Sequence, residues 1–184
     1  MRLKNWTFIL MLGLAGCASA PKMNYYTLDM RPAATQGPEE GIVLDRLRVA
    51  DALSGRNILI HTSPTKVEYY AVDQWAAGLD DLLREKLEAE FHTGSTPGKW
   101  VASGDLLDFG QEDSAQGPQA CLRAVFEYRT REMGHYEGPL LRKTYEIRTP
   151  AGAGNAASVV ESLSRCVEEL AKAMAADTRT LPKP

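Results

Sequence analysis

The sequence predicts an α+β fold in which a mostly antiparallel or mixed sheet packs against two main helices. Two long segments carry apolar residues at spacings of three and four, and this period indicates helices that bury one side. Several shorter segments alternate apolar and polar residues, which indicates strands with one buried and one solvated face. A group of such strands precedes each helix, so the pattern predicts a pseudo-repeated order of strands followed by a helix.

The N-terminus has the parts of a secretory signal. Arg2 and Lys4 form a basic start, and the mostly apolar stretch 6–14 follows. That stretch is too short to span a bilayer, which needs about 20 residues. We therefore predict a signal peptide over 1–16. The alternatives are an ordinary signal peptide with a chance cysteine near the cleavage site, or a buried N-terminal helix.

The signal ends in the letters LAGC at 14–17, which resemble the bacterial lipobox. In a lipobox the cysteine receives a diacylglyceryl group and becomes the first mature residue, so we predict lipid attachment at Cys17 and a lipidated tether over 17–24. Several acyl chains such as palmitate anchor a protein firmly, whereas one chain binds only marginally. Ala18 stands where many lipoproteins retained in the inner membrane have Asp. This favours an outer-membrane anchor, with the protein facing the periplasm.

The first half of the mature chain is predicted to form four strands and a helix. The helix, over 72–91, follows from a continuous apolar stripe that includes Trp75, Leu79 and Leu83. Asp73 is placed to cap its N-terminus or to favour the helix dipole. The strands are predicted at 25–28, 42–49, 56–62 and 66–70.

The second half is predicted to form a three-strand meander and another helix. Along 121–129, Leu122 and Phe126 fall on one side and Arg123 on the other, as expected for an antiparallel sheet with one solvated face. The polar stretch 110–119 is predicted to be a loop. The strands are predicted at 100–109, 121–129 and 140–148, and the helix at 156–176, with Asn155 or Ser158 as its cap.

Length and charge indicate one globular domain over 25–177 and a flexible tail over 178–184. The chain has 21 Lys and Arg against 24 Asp and Glu, and removal of its basic signal leaves it more acidic. A nucleic-acid-binding protein needs a basic footprint, so this class is excluded. The acidity also argues against broad adsorption to anionic lipid headgroups.

Two cysteines remain once Cys17 is assigned to the lipid. The periplasm is oxidising, so Cys121 and Cys166 form a candidate disulfide. Cys166 falls on the apolar stripe of the second helix, whereas Cys121 falls on the more polar side of a strand. Sequence cannot place their Cβ atoms within bonding range, so a bridge and two free thiols both remain open.

The sequence contains no recognisable catalytic or metal site. His61, His92 and His135 lie far apart, and each is expected to be a surface or hydrogen-bonded histidine. A G-x-S-x-G nucleophile motif is absent. Gly152 and Gly154 lie in a low-complexity segment that indicates flexibility and not a phosphate site. We therefore expect no catalysis, no cofactor and no metal.

Five aromatic residues are candidates for a partner interface: Tyr25, Tyr26, Tyr69, Tyr70 and Trp75. Aromatic side chains at half-buried strand positions usually belong to the core, which is the first interpretation. The alternative is that one tyrosine of each adjacent pair is exposed and contacts a partner.

The segments after the lipobox resemble, in order, those of the ABC-type transport auxiliary lipoprotein family. The resemblance is specific over about 14–92 and concerns only the general pattern beyond that. The family commonly has Arg at the position of Gln74, so any contact of that arginine does not carry over. The matching segments are YYTL at 25–28, IVL at 42–44, LRV at 47–49, an R-x-I-x-I strand of Arg56, Ile58 and Ile60, and QWA at 74–76 with Leu79.

The resemblance implies a non-enzymatic lipoprotein that assists an ABC-type system moving lipid-like cargo between membranes. Such systems combine an inner-membrane permease and an ATPase with an MCE-domain substrate-binding protein, which is the implied partner. A homo-oligomer is also left open. A second function class stays open from the residues alone: an envelope-assembly lipoprotein that acts as a structural or chaperone-like partner of outer-membrane proteins or lipopolysaccharide.

Replacing the lipobox cysteine tests the anchor. We expect Cys17→Ala to leave a folded protein that is lost from the membrane and loses function, because the predicted core lies beyond the tether. Membrane fractionation against the unchanged chain measures this. Recovery of the variant in the membrane pellet at normal levels would contradict the prediction.

Overall fold

Seven strands and two α-helices make up the described part of the molecule. The computed structural model describes residues 20–31, 41–91, 99–132 and 139–181. The strands are β1 (Asn24–Tyr26), β2 (Ile42–Val49), β3 (Asn57–Ser63), β4 (Lys66–Trp75), β5 (Trp100–Ser114), β6 (Gly117–Thr130) and β7 (Leu141–Pro150), and the helices are α1 (Leu79–Glu90) and α2 (Ala156–Thr180). The predicted α+β class, with two helices packed on a mixed sheet, is confirmed.

The long strand β5 organises the sheet. One of its edges pairs with β6 in an antiparallel hairpin, and β6 pairs with β7 in the same way, so the predicted meander is confirmed. The other edge of β5 takes two parallel neighbours in succession: β2 along 100–106 and β3 along 110–112. Beyond β3 the order continues through β4 to β1.

A β-bulge at Leu107 separates the two parallel neighbours of β5. The register with β6 shifts between Leu106 and Asp108, which leaves Leu107 as the extra residue. At the same point the chain leaves β2 through the short 3-10 helix Asp51–Leu53, and the N–H of Ala50 donates to the carbonyl of Leu106 at 2.9 Å. One long strand can therefore support two short ones side by side on the same edge.

Both helices pack on one face of the sheet. Helix α1 contacts β2 and α2, while α2 contacts β5, β6 and β7. The predicted apolar stripe of α2 is buried, and its N-cap is the predicted Asn155, whose side chain accepts from the N–H of Ser158 at 2.9 Å. The helix ends at Thr180, so the predicted flexible tail begins too early. The buried stripe consists of Val159, Val160, Leu163, Cys166, Val167, Leu170 and Met174.

The predicted start of the first helix is wrong. Residues up to Trp75 belong to β4, because β1 pairs with them in parallel and Tyr26 lies opposite Trp75. Asp73 therefore caps no helix; its carboxylate accepts from the side chains of Asn24 at 2.9 Å and Tyr26 at 3.0 Å. Helix α1 begins only after Gly78, its N-cap.

The predicted loop over 110–119 is also wrong. β5 and β6 run through this polar stretch and turn at 114–117, where Gly117 has a φ of 109°. The polar residues suggest a loop, but one face of the sheet is solvated and accommodates polar side chains. Gln111 is buried on the helix side, and its side chain is hydrogen-bonded to Tyr70 and Asp113.

The segment after β1 is held in place by hydrogen bonds to both helices. Leu28 is buried in the core, and the N–H of Asp29 donates to the hydroxyl of Ser164 on α2 at 3.0 Å. On α1, the buried ammonium of Lys86 donates to the carbonyl of Arg31 at 2.8 Å. Lys86 also binds the carboxylate of Glu90 at 2.6 Å, so its charge is compensated inside the core.

A chain of polar groups joins the end of α2 to the sheet. The hydroxyls of Tyr128 and Tyr145 lie 2.6 Å apart, and Tyr145 donates to the carboxylate of Asp177 at 2.6 Å. Burial raises the pKa of both tyrosines, so both stay protonated and keep their donors. Lys143 completes the network with an ion pair to Asp177 at 2.7 Å.

Replacement of Trp75 tests how the core is packed. Its ring is fully buried and lies 5.7 Å from the ring of Phe109, and among the described residues its indole N–H has no hydrogen-bond partner. We expect Trp75→Ala to lower the free energy of unfolding by about 3–5 kcal/mol, as large aromatic truncations do. Urea denaturation followed by circular dichroism measures this.

Trp75→Phe is the matched control, because it keeps an aromatic ring and removes the unpaired N–H. We expect it to cost clearly less than Trp75→Ala. Equal losses for the two variants would contradict the packing described here, because a retained aromatic ring would then recover none of the lost stability.

Candidate interaction surface

The face of the sheet opposite the helices is the candidate functional surface, and we call it the open face. Alternation along β6 turns Leu122 and Phe126 towards the helices and Arg123 and Glu127 away, as predicted. No α-helix within the described ranges packs on the open face. A two-faced antiparallel region commonly exposes one side in this way.

Cross-strand ion pairs cover much of the open face. Arg48 and Asp105 lie opposite each other on β2 and β5, and Arg142 and Glu127 do so on β7 and β6. These pairs are largely solvent-exposed, and each contributes little to stability. Their effect is to give the surface alternating charge with no large excess of either sign.

One row of residues crosses five strands on this face. Tyr69, Leu59, Gly110, Cys121 and Arg148 are successive cross-strand neighbours from β4 to β7. A Cβ at Gly110 would lie 2.5 Å from the carbonyl oxygen of Leu59, so only glycine lets β3 approach β5 this closely. Leu59 and Cys121 are buried here even though both point away from the helices.

A histidine–aspartate pair flanks this row. The Nε2 of His61 lies 2.9 Å from a carboxylate oxygen of Asp108, so the expectation of a hydrogen-bonded histidine is confirmed for His61. Burial, reinforced by the Asp108 charge, raises the pKa of the neighbouring Cys121 thiol to about 12. The thiol is therefore protonated at neutral pH and is a poor nucleophile. His92 and His135 lie outside the described residues.

The two cysteines of the candidate disulfide lie on opposite sides of the sheet. The Cys166 thiol, on α2, lies 3.3 Å from Thr149 Oγ1 and 3.8 Å from the carbonyl of Ala120. Cys121 follows Ala120 in β6, so its side chain points to the other face. Both are free thiols in the structure. The candidate disulfide is corrected to two buried thiols, because the sheet itself separates them.

Each tyrosine pair has one exposed and one core-facing member. Tyr25 is 62% exposed and Tyr69 is 44% exposed. Tyr26 instead turns inwards to Asp73, and Tyr70 donates to Gln111 at 2.5 Å. Burial raises the pKa of both Tyr26 and Tyr70. The structure thus leaves Tyr25 and Tyr69 accessible to a partner, whereas Tyr26 and Tyr70 serve the fold.

Trp75 cannot contact a partner in this structure, because its ring is 0% exposed. Its place among the interface candidates is therefore wrong. The reason is the extended β4: Trp75 follows Tyr26 towards the core through the β1–β4 register, instead of lying on a helix surface.

Sequence reasoning missed four exposed apolar residues: Val43, Val67, Leu107 and Leu140. Val67 lies two residues before Tyr69 on β4, so strand alternation could have placed both on one face. Val43 alternates in the same way with the buried residues of β2. No feature of the sequence indicated that Leu107 is exposed, because its exposure follows from the β-bulge.

The surface has the character of a protein-binding face. It offers exposed aromatic and aliphatic side chains among paired charges, which suits a partner interface. Within the described ranges, no cluster of His, Cys, Asp and Glu is suited to hold a metal ion. None of the helices described there combines the length and apolar character that crossing a bilayer requires. The predicted signal peptide and Cys17 lie outside these ranges.

The comparisons with known proteins agree with the fold and the segments described above. The family model for the ABC-type transport auxiliary lipoprotein component matches residues 26–175. The chain belongs to this family. The resemblance inferred from its N-terminal half is thereby confirmed and extends into α2, to residue 175.

Two curated relatives share a third of their aligned residues with this family member. The chain is 33% identical over 116 residues to the intermembrane transport lipoprotein PqiC of Escherichia coli (strain K12), and equally to that of Shigella flexneri. Each alignment covers 60% of this chain and 61% of the relative. The match therefore spans less than two thirds of these relatives.

Solved structures share the fold. A crystal structure of a Xanthomonas campestris protein has a TM-score of 0.70 at 14% identity, covering 84% of this chain and 94% of that one. A second structure, of an uncharacterized protein, has a TM-score of 0.67 at 15% identity and covers 86% and 99% of the two chains. At these identities the likeness establishes the family member's fold alone.

Thiol titration tests the placement of the cysteines. We expect the Cys17→Ala protein, purified without reductant from the periplasm, to release two thiols per chain to a chromogenic disulfide reagent in denaturant. The folded protein should react slowly near pH 8, because Cys121 is buried and its pKa is raised to about 12. Absence of titratable thiols after unfolding would establish a bridge.

A methyl group at Gly110 tests the close approach of β3 and β5. We expect Gly110→Ala to destabilise the protein by about 1–3 kcal/mol, as overpacking does, because the new Cβ meets backbone that cannot move aside. Gly55→Ala is the control, since nothing lies within 4 Å of its Cβ position. Thermal unfolding compares the two, and equal melting temperatures would contradict the packing described here.

Proposed function

We propose that this protein is a lipid-anchored, non-enzymatic accessory component of an ABC-type system for intermembrane lipid transport. The family match over 26–175 is the observation that carries this proposal. The name of the PqiC relatives, intermembrane transport lipoprotein, supports the kind of transport. In this proposal Cys17 carries the lipid, and the anchor lies in the outer membrane with the body facing the periplasm.

The state of the reactive side chains supports a role without catalysis. The Cys121 thiol is buried and protonated. His61 forms its hydrogen bond with Asp108 and not with that thiol. In the core, the Tyr145 hydroxyl donates to Asp177 and accepts from the Tyr128 hydroxyl. These groups are used to satisfy each other inside the fold, and a nucleophile with a base beside it is not assembled from them.

We further propose that the partner is the MCE-domain protein of the same system and that it docks on the open face. Tyr69 and Val67 lie on one strand and supply exposed apolar area, and the neighbouring charges are already paired across strands. A partner can cover such a face without leaving an unpaired buried charge.

Site-specific photo-crosslinking in membranes tests this docking. A photoreactive phenylalanine derivative replaces Tyr69 on the open face, and in a second variant it replaces Lys172, which is exposed on the helix side. We expect the Tyr69 variant to capture an MCE-domain periplasmic protein and the Lys172 variant to capture much less of it.

Three results would contradict the proposal. Capture of outer-membrane assembly proteins alone would favour the envelope-assembly function. Capture of a second copy of this chain would assign the open face to self-association. Equal capture by both variants would show that the open face has no special role.

A further inference from the structure

The proposed lipid and the first strand are separated by little chain. Seven residues, 17–23, precede Asn24, the first residue of β1. Fully extended, they reach no more than about 25 Å. A body anchored through Cys17 must therefore keep β1 close to the membrane surface, whatever orientation the rest adopts.

The strand at this short tether is rigidly attached to the body. The side chain of Asn24 donates to Asp73 at 2.9 Å, and the carbonyl of Tyr26 accepts from the N–H of Ala76 at 2.7 Å. Two residues after β1, Leu28 is buried in the core. The tether thus ends at a fixed point of the fold, so its position limits how the whole body can turn.

Tyr25 is the side chain that this point presents outwards. Tyr26 and Trp75 turn to the core from the paired strands, so alternation turns Tyr25 away. At 62% exposed it is the most exposed large apolar side chain of the described residues. Tyrosine has an apolar ring and a polar tip, and it is enriched where membranes meet water.

Cationic side chains accompany Tyr25, although the chain as a whole is acidic. Lys22 is exposed on the tether itself. Arg56 is exposed, and its guanidinium donates at 3.3 Å to the carbonyl of Ala76, the residue that β1 holds through Tyr26. The nearby carboxylate, Asp73, is occupied by Asn24 and Tyr26. Local charge at this edge therefore suits anionic headgroups.

We propose that Lys22, Tyr25 and Arg56 form a membrane-contact edge that rests on the phospholipid headgroups of the bilayer holding the lipid anchor. This inference depends on the proposed lipidation of Cys17. The edge does not bind membranes by itself; the short tether raises its local concentration at the surface. β7 lies five strands away in the sheet, about 24 Å, and in the proposed orientation it stands clear of the membrane.

Fluorescence quenching by brominated lipid tests the contact. Mature lipidated Tyr25→Trp protein, from which the signal peptide with Trp6 has been removed, is reconstituted in vesicles of phosphatidylethanolamine and phosphatidylglycerol that contain phosphatidylcholine brominated near the headgroup. Thr144→Trp, at an exposed position on β7, is the matched control. The native Trp75 and Trp100 are buried and contribute a constant background. Circular dichroism confirms that both variants fold.

We expect brominated lipid to quench the added fluorescence of Tyr25→Trp at least twofold and to leave that of Thr144→Trp unchanged. Adding Lys22→Gln and Arg56→Gln to Tyr25→Trp should weaken the quenching. Equal quenching of Tyr25→Trp and Thr144→Trp would overturn the proposal, because contact would not be specific to β1. Absence of quenching in both would overturn it as well.

Vesicle flotation separates this proposal from the anchor on which it depends. If the protein does not float with the vesicles, the lipid anchor is wrong and the contact edge falls with it. If the protein floats but Tyr25→Trp is not quenched, the anchor stands and only the contact edge is overturned.

Discussion

The shared edge of β5 is the constraint on which the rest of the structure depends. β2 and β3 both pair with it in parallel, one after the other, and the bulge at Leu107 lies between them. Gly110 lets β3 come close enough to complete the second half. Through β3 this edge positions β4 and β1, and so also the point where the N-terminal segment joins the fold.

The polar groups of the core are satisfied in pairs or chains, which explains how they can be buried. Lys86 is fully buried, yet its ammonium has three acceptors: Glu90, Glu168 and the carbonyl of Arg31. Tyr145 donates directly to Asp177, and Tyr128 is joined to that carboxylate through Tyr145. Such groups add little net stability. Their main effect is to determine which segments pack together. Here they fix the N-terminal segment and the end of α2.

Local sequence patterns predicted the fold class, the three-strand meander, the α2 stripe and Asn155 as one of two candidate caps, because each depends on period or on neighbouring residues. These patterns failed where pairing with residues distant in the sequence determines the local structure. Residues 72–75 carry helix-like spacing, but pairing with β1 makes them strand. The stretch 110–119 is polar, but Tyr70 and the β6 ladder satisfy it.

The same division holds for the candidate surface. Alternation predicted that Cys121 and Arg123 share the more polar face, and the structure places them there. The burial of Cys121 could not be predicted, because it depends on β3 meeting β5 at Gly110. For the tyrosine pairs, the sequence first indicated core positions, offered one exposed member of each pair only as the alternative, and did not indicate which member. The long-range registers of β1 and β4 select Tyr25 and Tyr69.

The sheet that stands between Cys121 and Cys166 also makes maturation independent of oxidants. A fold whose native state contains no cross-link gains nothing from thiol oxidases or isomerases, and an intervening backbone layer keeps the wrong bridge from forming once folding is complete. The globular body can therefore reach the same structure in reducing and in oxidising surroundings.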